Sequence, residues 1–181
     1  MNIKIRRATL SDASTIASIH IAAWRKSYAN IMPAAFLAGL DYNDKYHNWR
    51  SALTTANAGR YIVAELSGKV AGFAVYGPAR DKDMSSSEKS RAGELVAINI
   101  DPAQWSQGLG AALVEYILTE ASEEHWSTLY LWVIKSNQRA IALYNRYGFQ
   151  YDGNDKIDRT HCDAAILESR YVKYLTSETL L

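Results

Sequence analysis

The sequence predicts an α/β fold of mixed α+β character, with one twisted, mixed sheet of about seven strands and helices on both of its faces. Three observations support this prediction. Runs of β-branched and aromatic residues recur along the chain, amphipathic helical patterns separate many of them, and glycine-containing turns join others. Neighbouring runs at both ends of the chain suit antiparallel hairpins, whereas helical segments separate the middle runs. The sheet is therefore expected to combine antiparallel and parallel pairing.

The first half of the chain predicts an opening strand, helices and a hairpin. Alternating apolar and charged residues indicate the strand, and apolar residues at helical spacing indicate the first helix. Turn residues between two β-type runs indicate the hairpin. The expected elements are a strand at 3–5, a helix around 16–24, a short helix from Pro33, a helix over about 42–56, and hairpin strands at 61–66 and 70–76.

The second half predicts strands that alternate with helices. The polar segment 80–91 comes first and is expected to be either an exposed, mobile loop or an ordered lid. Gly148 is expected to end the last helix, because glycine adopts the left-handed backbone conformation at low cost. The expected elements are strands at 94–100, 129–133 and 164–175, a strand that starts at 149–151, and helices at 111–124 and 137–147.

Composition favours a single domain, residues 1–181, located in the cytoplasm. The chain has 181 residues, of which 48% are hydrophobic, and this suits one packed core. Its formal net charge is +1, so no overall field favours nucleic acid or an anionic membrane as a partner. No apolar run is long enough to cross a bilayer, and the one cysteine, Cys162, cannot form an internal disulfide.

No metal site is expected, because the histidines lack the spacing of metal ligands and no cysteine joins them. The histidines are His20, His47, His125 and His161.

A glycine-containing turn before the helix at 111–124 has the features of an anion site. Gly108 and Gly110 lack side chains, so an anion can approach the main chain closely. The first N–H groups of a helix have no helical partners, and the helix dipole adds partial positive charge there. The turn therefore predicts a seat for a pyrophosphate that needs no lysine or arginine. The alternative is a tight turn in which the glycines serve packing alone.

Two other phosphate-binding motifs fit this turn badly. A P-loop has Gly-Lys-Ser/Thr at the start of the helix, whereas two alanines follow Gly110. A Rossmann fingerprint has a third glycine at a fixed spacing, and this sequence has Leu113 there.

Four motifs follow one another in a fixed order along the second half of the chain. They are Glu94-Leu95-Val96-Ala97-Ile98-Asn99-Ile100-Asp101-Pro102, Gln107-Gly108-Leu109-Gly110, Asn137-Gln138-Arg139-Ala140 and Tyr144-Asn145-Arg146-Tyr147-Gly148-Phe149. In this order and spacing they make the chain resemble the GNAT superfamily of N-acetyltransferases. The resemblance covers nearly the whole chain and is strongest from Gly93 to Phe149. It departs from the family's pattern at Trp105, where a glutamine or arginine usually begins the turn, and this leaves open which side chain braces the loop.

The resemblance implies a GNAT-like sheet and an acetyl-CoA-dependent N-acetyltransferase in which an amine attacks acetyl-CoA directly in a ternary complex. Acetyl-CoA is the implied cosubstrate, held between the strand that ends near Ile100 and the strand that ends near Val133. The main-chain N–H of Ile98 is the implied oxyanion donor, and a bulge near Asn99 would splay the strand. The implied coenzyme-binding residues are Ile98, Asn99, Ile100, Gln107, Gly108, Leu109, Gly110, Ala111 and Asn137.

Two residues are implied to carry the proton transfers. An alkylamine is mostly protonated at neutral pH, so some group must take its proton, directly or through water, before it can attack. By resemblance that group is Glu94; the alternative is a structural ion pair at the strand end. Tyr144 is implied to protonate the leaving thiolate, and it lies two helical turns after Asn137, so that both can face one cleft. The alternative for Tyr144 is a core aromatic residue.

The acceptor pocket is the least determined part of the site. Trp24 and Tyr28 lie near the end of the first long helix, where related enzymes place the acceptor, although a pair at this spacing also suits a core. Glu168 on the last strand would attract a cationic acceptor or form a cross-strand pair. A polyamine, a peptide N-terminus, a lysine, an amino acid and an aminated antibiotic all stay open as the small-molecule or peptide amine.

Two further questions stay open. A non-catalytic acyl-CoA-binding regulatory module with the same fold is the alternative to an enzyme. Dimerisation through the final strands is compatible with the sequence, which does not require it.

Overall fold

The computed structural model describes residues 2–55, 60–82, 84–160, 162 and 164–175, and it confirms the predicted fold class. Seven strands form one open, mixed sheet. The strands are β1 (Ile3–Arg7), β2 (Tyr61–Leu66), β3 (Lys69–Pro78), β4 (Ala92–Ile100), β5 (Thr128–Ile134), β6 (Gln150–Asp158) and β7 (Ile166–Tyr174). The helices are α1 (Ala13–Ser27), α2 (Ala34–Ala38), α3 (Tyr42–Thr54), α4 (Ser86–Lys89), α5 (Leu109–Glu123) and α6 (Gln138–Arg146).

Most element boundaries lie close to the predicted ones. The helix predicted over 42–56 ends at Thr54, and its predicted end at Ala56 lies outside the described residues. The helix predicted from Ala111 begins two residues earlier, at Leu109. The segment predicted as a loop or lid contains the short helix α4, whose first turn Ser85 and Glu88 cap through a reciprocal pair of hydrogen bonds.

The strand order is β1-β2-β3-β4-β5-β7-β6. The β4–β5 pair is parallel and all other neighbours are antiparallel. The last strand therefore inserts between β5 and β6, a placement that no short-range pattern in the sequence predicts.

Helices cover both faces of the sheet, as the sequence predicts. On one face, α5 and α6 pack on alternate residues of the central strands, with Leu113 and Ile117 fully buried. On the other face, α1 and α3 pack on the strand residues that point away from α5 and α6. Ile16 of α1 forms a buried cluster there with Val63 and Phe73. This alternation follows from the two-residue period of strand side chains.

The central strands β4 and β5 separate halfway along their length. They pair only through Ala92–Leu95 and Thr128–Leu131. On its other side, β4 carries a bulge, because Val75 pairs with Ala97 whereas Tyr76 pairs with Leu95, which leaves Val96 as the extra residue. The bulge expected near Asn99 thus lies three residues earlier. An extra residue bends a strand and increases its twist, so this position accounts for the divergence that follows immediately.

Gly93 is a position where the sheet tolerates no side chain. A Cβ atom there would lie 1.9 Å from Cε3 of the buried Trp126 ring. We therefore expect Gly93→Ala to lower the free energy of unfolding by about 1–3 kcal/mol, since a rigid ring cannot move aside without disturbing the core. Urea denaturation followed by tryptophan fluorescence measures this change.

Gly77, on the neighbouring strand, gives the matched control, because a Cβ atom there would meet nothing within 4 Å. Gly77→Ala should change the unfolding free energy by less than about 0.5 kcal/mol. Equal stabilities for the two variants would contradict the packing argument.

Candidate active site

Two cavities meet where β4 and β5 separate. The larger has a volume of about 420 Å³ and runs along the start of α5 and one side of α6. The smaller has a volume of about 140 Å³ and lies between α1, β5, β6 and β7. The residues that line both cavities, and so mark their junction, are Tyr28, Ile98, Asn99, Asn137, Ala140 and Tyr144.

The start of α5 gives the larger cavity an anion-binding wall. Gly108 precedes the helix in a left-handed conformation, with φ of 86°. Leu109, Gly110 and Ala111 form the first turn and line the cavity, and main-chain N–H groups at these positions have no partner within a helix. Arg139 and Arg146 also line this cavity, and among the described residues its lining includes no aspartate or glutamate. The electrostatics of the larger cavity therefore favour an anionic ligand.

The side chain that braces this turn is Trp105. It occupies the position where the family usually has a glutamine or arginine. Its indole Nε1 donates a hydrogen bond to the carbonyl of Ile100 over 3.1 Å. The guanidinium of Arg139 stacks on the Trp105 ring, 4.4 Å from the ring centroid. Gln107 turns away from the cavity, and its amide donates to Gln104 over 2.8 Å. The indole thus ties the turn to β4 and holds an arginine beside the cavity.

Beyond the bulge, the main chain of β4 offers unpaired groups to the gap. The Asp101 N–H donates to the carbonyl of Ala71 on β3 over 2.9 Å, and Asn99 pairs with Phe73 on the same side. Since the hydrogen-bonding groups of successive strand residues alternate sides, those of Ile98 and Ile100 face β5. No β5 residue pairs with them. Ile98 therefore offers an N–H at the junction of the cavities.

Tyr144 and Asn137 both reach this junction, as their spacing on one helix predicts. Asn137 caps α6, and its side-chain oxygen accepts from the N–H of Ala140 over 3.2 Å. Tyr144 is 7% exposed and packs edge-on against Phe149. Burial, with the nearby Tyr28 as a smaller contribution, raises the pKa of Tyr144 well above its ordinary value of about 10. Its hydroxyl therefore keeps its proton at neutral pH and can donate it.

The smaller cavity has the opposite electrostatic character. Among the described residues, its lining contains two carboxylates, Asp158 and Glu168, and Glu168 pairs with Lys156 over 3.3 Å. The aromatic rings of Trp24, Tyr28 and Trp132 form much of the remaining wall. Aromatic faces and carboxylates both attract ammonium groups, and two lysines of the chain already use these rings: Lys156 lies 4.1 Å from the Trp132 centroid and Lys45 lies 5.4 Å from that of Trp24. The chemistry of this wall therefore suits a cation.

Glu94 lies outside the lining of both cavities. It is 8% exposed, and the guanidinium of Arg80 donates to its two oxygens over 2.9 and 3.1 Å. The hydroxyl of Tyr130 donates to Oε2 of Glu94 over 3.1 Å and accepts from the N–H groups of Arg80 and Asp81. This network fastens the start of the segment that leads to α4. This geometry matches the alternative interpretation of Glu94, a structural ion pair at the strand end. The role of Glu94 as a catalytic base stays a prediction.

The sequence profile of the acetyltransferase (GNAT) family matches residues 21–149. The chain belongs to the GNAT family. It is 30% identical over 156 residues to the uncharacterised N-acetyltransferase YuaI of Bacillus subtilis, a match that covers 86% of this chain and 85% of YuaI. It is 36% identical over 104 residues to the [ribosomal protein bS18]-alanine N-acetyltransferase of Escherichia coli, covering 56% of this chain and 64% of that enzyme. These matches make it an acyltransferase of the N-acetyltransferase type.

Solved GNAT structures share the fold at low sequence identity. The PaiA N-acetyltransferase of Thermoplasma acidophilum in complex with coenzyme A superposes with a TM-score of 0.74 at 16% identity, over 97% of this chain and 100% of that one. YncA of Salmonella typhimurium with acetyl-CoA gives a TM-score of 0.69 at 20% identity, over 98% and 96% of the two chains.

Several residues of this GNAT site escaped the sequence analysis. Arg139 and Arg146 lie inside recognised motifs, but nothing in the sequence indicates that they face a cavity. Trp132 looks like an ordinary strand residue, and Asp158 lies where the sequence analysis assigns no role. The sequence pattern that could have found these four residues is a charged or aromatic side chain at alternate strand positions or on one face of a helix. Many ordinary surface residues have the same pattern, so it does not single them out.

The described part of the chain contains neither a candidate membrane-spanning helix nor a candidate metal-binding cluster. No helix there is both long and apolar enough to span a bilayer. No group of three or more His, Cys, Asp or Glu side chains there could hold a metal ion. His161 lies outside the described residues, and the expectation of no metal stays a prediction.

The Trp105 brace makes a testable prediction about coenzyme binding. Trp105→Phe removes the indole N–H but keeps a ring for Arg139. We expect a loss of about 1 kcal/mol, or roughly a fivefold rise in the Kd for coenzyme A. Isothermal titration calorimetry measures it. Trp105→Leu, which also removes the stacking surface, should weaken binding further, and unchanged affinity in both variants would refute the brace.

Proposed function

We propose that this GNAT protein is an acetyl-CoA-dependent N-acetyltransferase that acetylates a primary amine by direct attack in a ternary complex, within a single domain. The observation that carries the proposal is the meeting of two cavities of opposite electrostatic character at the split between β4 and β5. A coenzyme phosphate suits the larger cavity, and an ammonium group suits the smaller one. The two ligands would meet at Tyr28, Ile98 and Tyr144.

Acetyl-CoA fits the larger cavity in one direction only. Its pyrophosphate would lie on the N–H groups at the start of α5, where Gly110 leaves the approach open. Its pantetheine arm would then run beside β4 and use main-chain groups in place of the missing β5 partner, with Asn137 on the other side. The thioester would end at the junction of the cavities.

The reaction needs three functions at that junction. The ammonium must lose a proton before its nitrogen attacks the thioester carbon, and Glu94 is the base that the family resemblance suggests. The carbonyl oxygen gains negative charge in the tetrahedral intermediate, which the N–H of Ile98 would stabilise. The departing thiolate would take a proton from Tyr144, whose buried hydroxyl is neutral across the physiological range.

A small cationic amine of the polyamine type is the acceptor that the smaller cavity favours. A cavity of about 140 Å³ admits a slender chain rather than a folded surface. Its two carboxylates suit a molecule with more than one ammonium group, and the aromatic rings suit the methylene chain between them.

A peptide N-terminus is the second candidate, because the relative from Escherichia coli acts on an alanine of a ribosomal protein. A non-catalytic coenzyme-binding module would keep the larger cavity without needing Tyr144 at the junction. Cytoplasmic location and homodimerisation stay predictions from the sequence.

A panel of acceptors tests the proposal. Release of free thiol from acetyl-CoA is followed with 1,4-diaminobutane, a linear triamine, free lysine, an aminoglycoside and a short peptide that begins with alanine. Turnover of any of these amines supports an enzyme, and preference for the diamine or triamine supports the cationic acceptor. Acetyl-CoA binding without turnover on any amine would favour the non-catalytic module.

Gly110→Glu tests the phosphate position. It would place a carboxylate where the pyrophosphate is expected, so binding of acetyl-CoA should fall below detection in calorimetry. Gly110→Ala is the matched control, because its Cβ would meet only the flexible end of Leu143, at 3.1 Å. The alanine variant should bind within about threefold of wild type, a difference of roughly 0.7 kcal/mol. Wild-type affinity in the glutamate variant would refute the assignment.

Tyr144→Phe tests the proton donor. The variant should lose roughly 100-fold or more in kcat, since general-acid help is worth about that much, while the Kd for acetyl-CoA stays close to wild type. Tyr147→Phe is the control, because its hydroxyl bonds Glu115 over 2.6 Å, outside the lining of both cavities. Steady-state kinetics measure both variants, and full turnover in Tyr144→Phe would remove the residue from the mechanism.

A further inference from the structure

Glu94 is poorly placed to receive a proton from the acceptor. Both of its oxygens accept from the Arg80 guanidinium, and one also accepts from Tyr130. It lines neither cavity. An amine at the junction would therefore need this network to open before Glu94 could serve it.

Glu168, unlike Glu94, lies on the wall of a cavity that reaches the junction. It lies on β7, where it pairs in register with Ile134 of β5 and Lys156 of β6. Its side chain is 17% exposed and lines the smaller cavity, together with Tyr28 and Tyr144. It is therefore a carboxylate on the wall of the cavity that opens onto the junction.

The charged and titratable groups around Glu168 come from β6, from the ends of α1 and α6 near the cavity, and from β7 itself. From β6, Lys156 places its Nζ 3.3 Å from Oε2 of Glu168, and Asp158 lines the same cavity. From α1 and α6, Tyr28 and Tyr144 face the cavity. On β7 itself, Arg170 pairs with Asp81 and Asp152 instead. A neighbouring cation such as Lys156 favours the ionised carboxylate, which is the form able to accept a proton.

We propose that Glu168 is the catalytic residue that removes the proton from the bound ammonium, with Tyr28 between it and the reacting nitrogen as hydrogen-bond partner. The inference rests on the proposed function, since it names the base of the same reaction. It moves that role from the central strand β4 to the acceptor wall on β7.

The proton balance of the reaction is complete with these groups. The ammonium transfers one proton to the Glu168 carboxylate, directly or through the Tyr28 hydroxyl, and becomes a neutral amine. The nitrogen forms a bond to the thioester carbon, and collapse of the tetrahedral intermediate breaks the carbon–sulfur bond. Tyr144 protonates the thiolate and regains a proton from the nitrogen, and Glu168 returns its proton to solvent.

Two physical features support this assignment. Tyr28 and Glu168 line the same cavity, and burial, with the negative charge of Glu168 as a smaller contribution, raises the pKa of Tyr28 to about 12. The Tyr28 hydroxyl thus stays protonated and can pass a proton along. The side chain of Glu168 is also 17% exposed, so a proton that it accepts has a route to solvent.

The test compares four variants at three carboxylates in the intact chain, with 1,4-diaminobutane as acceptor, or with the alanyl peptide if that is the better acceptor of the wild type. Glu168→Gln keeps the shape and the hydrogen-bonding capacity of the side chain but cannot take a proton. Its kcat at neutral pH should fall roughly 100-fold or more. The fall should shrink as the pH rises, because hydroxide then replaces the missing base. Glu168→Asp should recover part of the rate.

Asp158→Asn and Glu94→Gln are the comparison variants. Asp158→Asn removes a second negative charge from the same cavity and should raise KM with little change in kcat or its pH profile. Glu94→Gln should keep the wild-type shape of the pH profile. Calorimetry with acetyl-CoA checks that every variant is folded, because the coenzyme cavity does not include these three residues.

Three outcomes would overturn the proposal. The first is Glu168→Gln with a raised KM but wild-type kcat, which would make Glu168 a binding group only. The second is a Glu168→Gln rate that stays low by the same factor at every pH. The third is loss of the pH-dependent limb in Glu94→Gln instead, which would restore Glu94 as the base. A wild-type protein without turnover would count against the proposed function itself, which is a separate result.

Discussion

The separation of β4 and β5 is the feature on which the rest of the site depends. The two strands pair through four residues and then diverge beside the bulge at Val96. Buried main-chain groups are normally paired, because leaving them without a partner costs free energy. Here the gap leaves Ile98 and Ile100 with groups that face no strand, and only the Ile100 carbonyl gains a side-chain partner, from Trp105. A ligand with its own amide groups can therefore form hydrogen bonds with the main-chain groups of β4 that have no strand partner.

Electrostatics then divide the gap into two parts. Free N–H groups and arginines line one side, and carboxylates with aromatic rings line the other. Between them lie the half-buried Tyr28 and the buried Tyr144, whose hydroxyls stay protonated because burial opposes the phenolate. Under the proposed function, this arrangement would separate an anionic coenzyme from a cationic acceptor until both reach the junction, where neutral groups could pass protons between them.

The two glutamates illustrate how context decides a role. Glu94 and Glu168 are both partly buried strand carboxylates, and each has a cationic neighbour. Glu94 accepts hydrogen bonds from Arg80 and from Tyr130, and the Tyr130 hydroxyl also accepts from the main-chain N–H groups of Arg80 and Asp81. This is the geometry of a structural ion pair. Glu168 lies at a cavity wall, where a ligand can reach it. The family pattern points to Glu94, and the position in the cavity points to Glu168.

Local patterns in the sequence determined the elements and the anion-binding turn. Strand alternation, helical periodicity and the turn at Gly108 and Gly110 are short-range properties, and the structure reproduces them to within a few residues. Tertiary structure alone decided the insertion of β7 between β5 and β6, which brings Glu168 and Asp158 to the smaller cavity. It also decided that Trp105 bonds the Ile100 carbonyl and stacks with Arg139, and that Arg80 encloses Glu94. Each of these depends on contacts between residues distant in the chain, and the energy of such contacts is set by burial and charge in three dimensions rather than by neighbours in sequence.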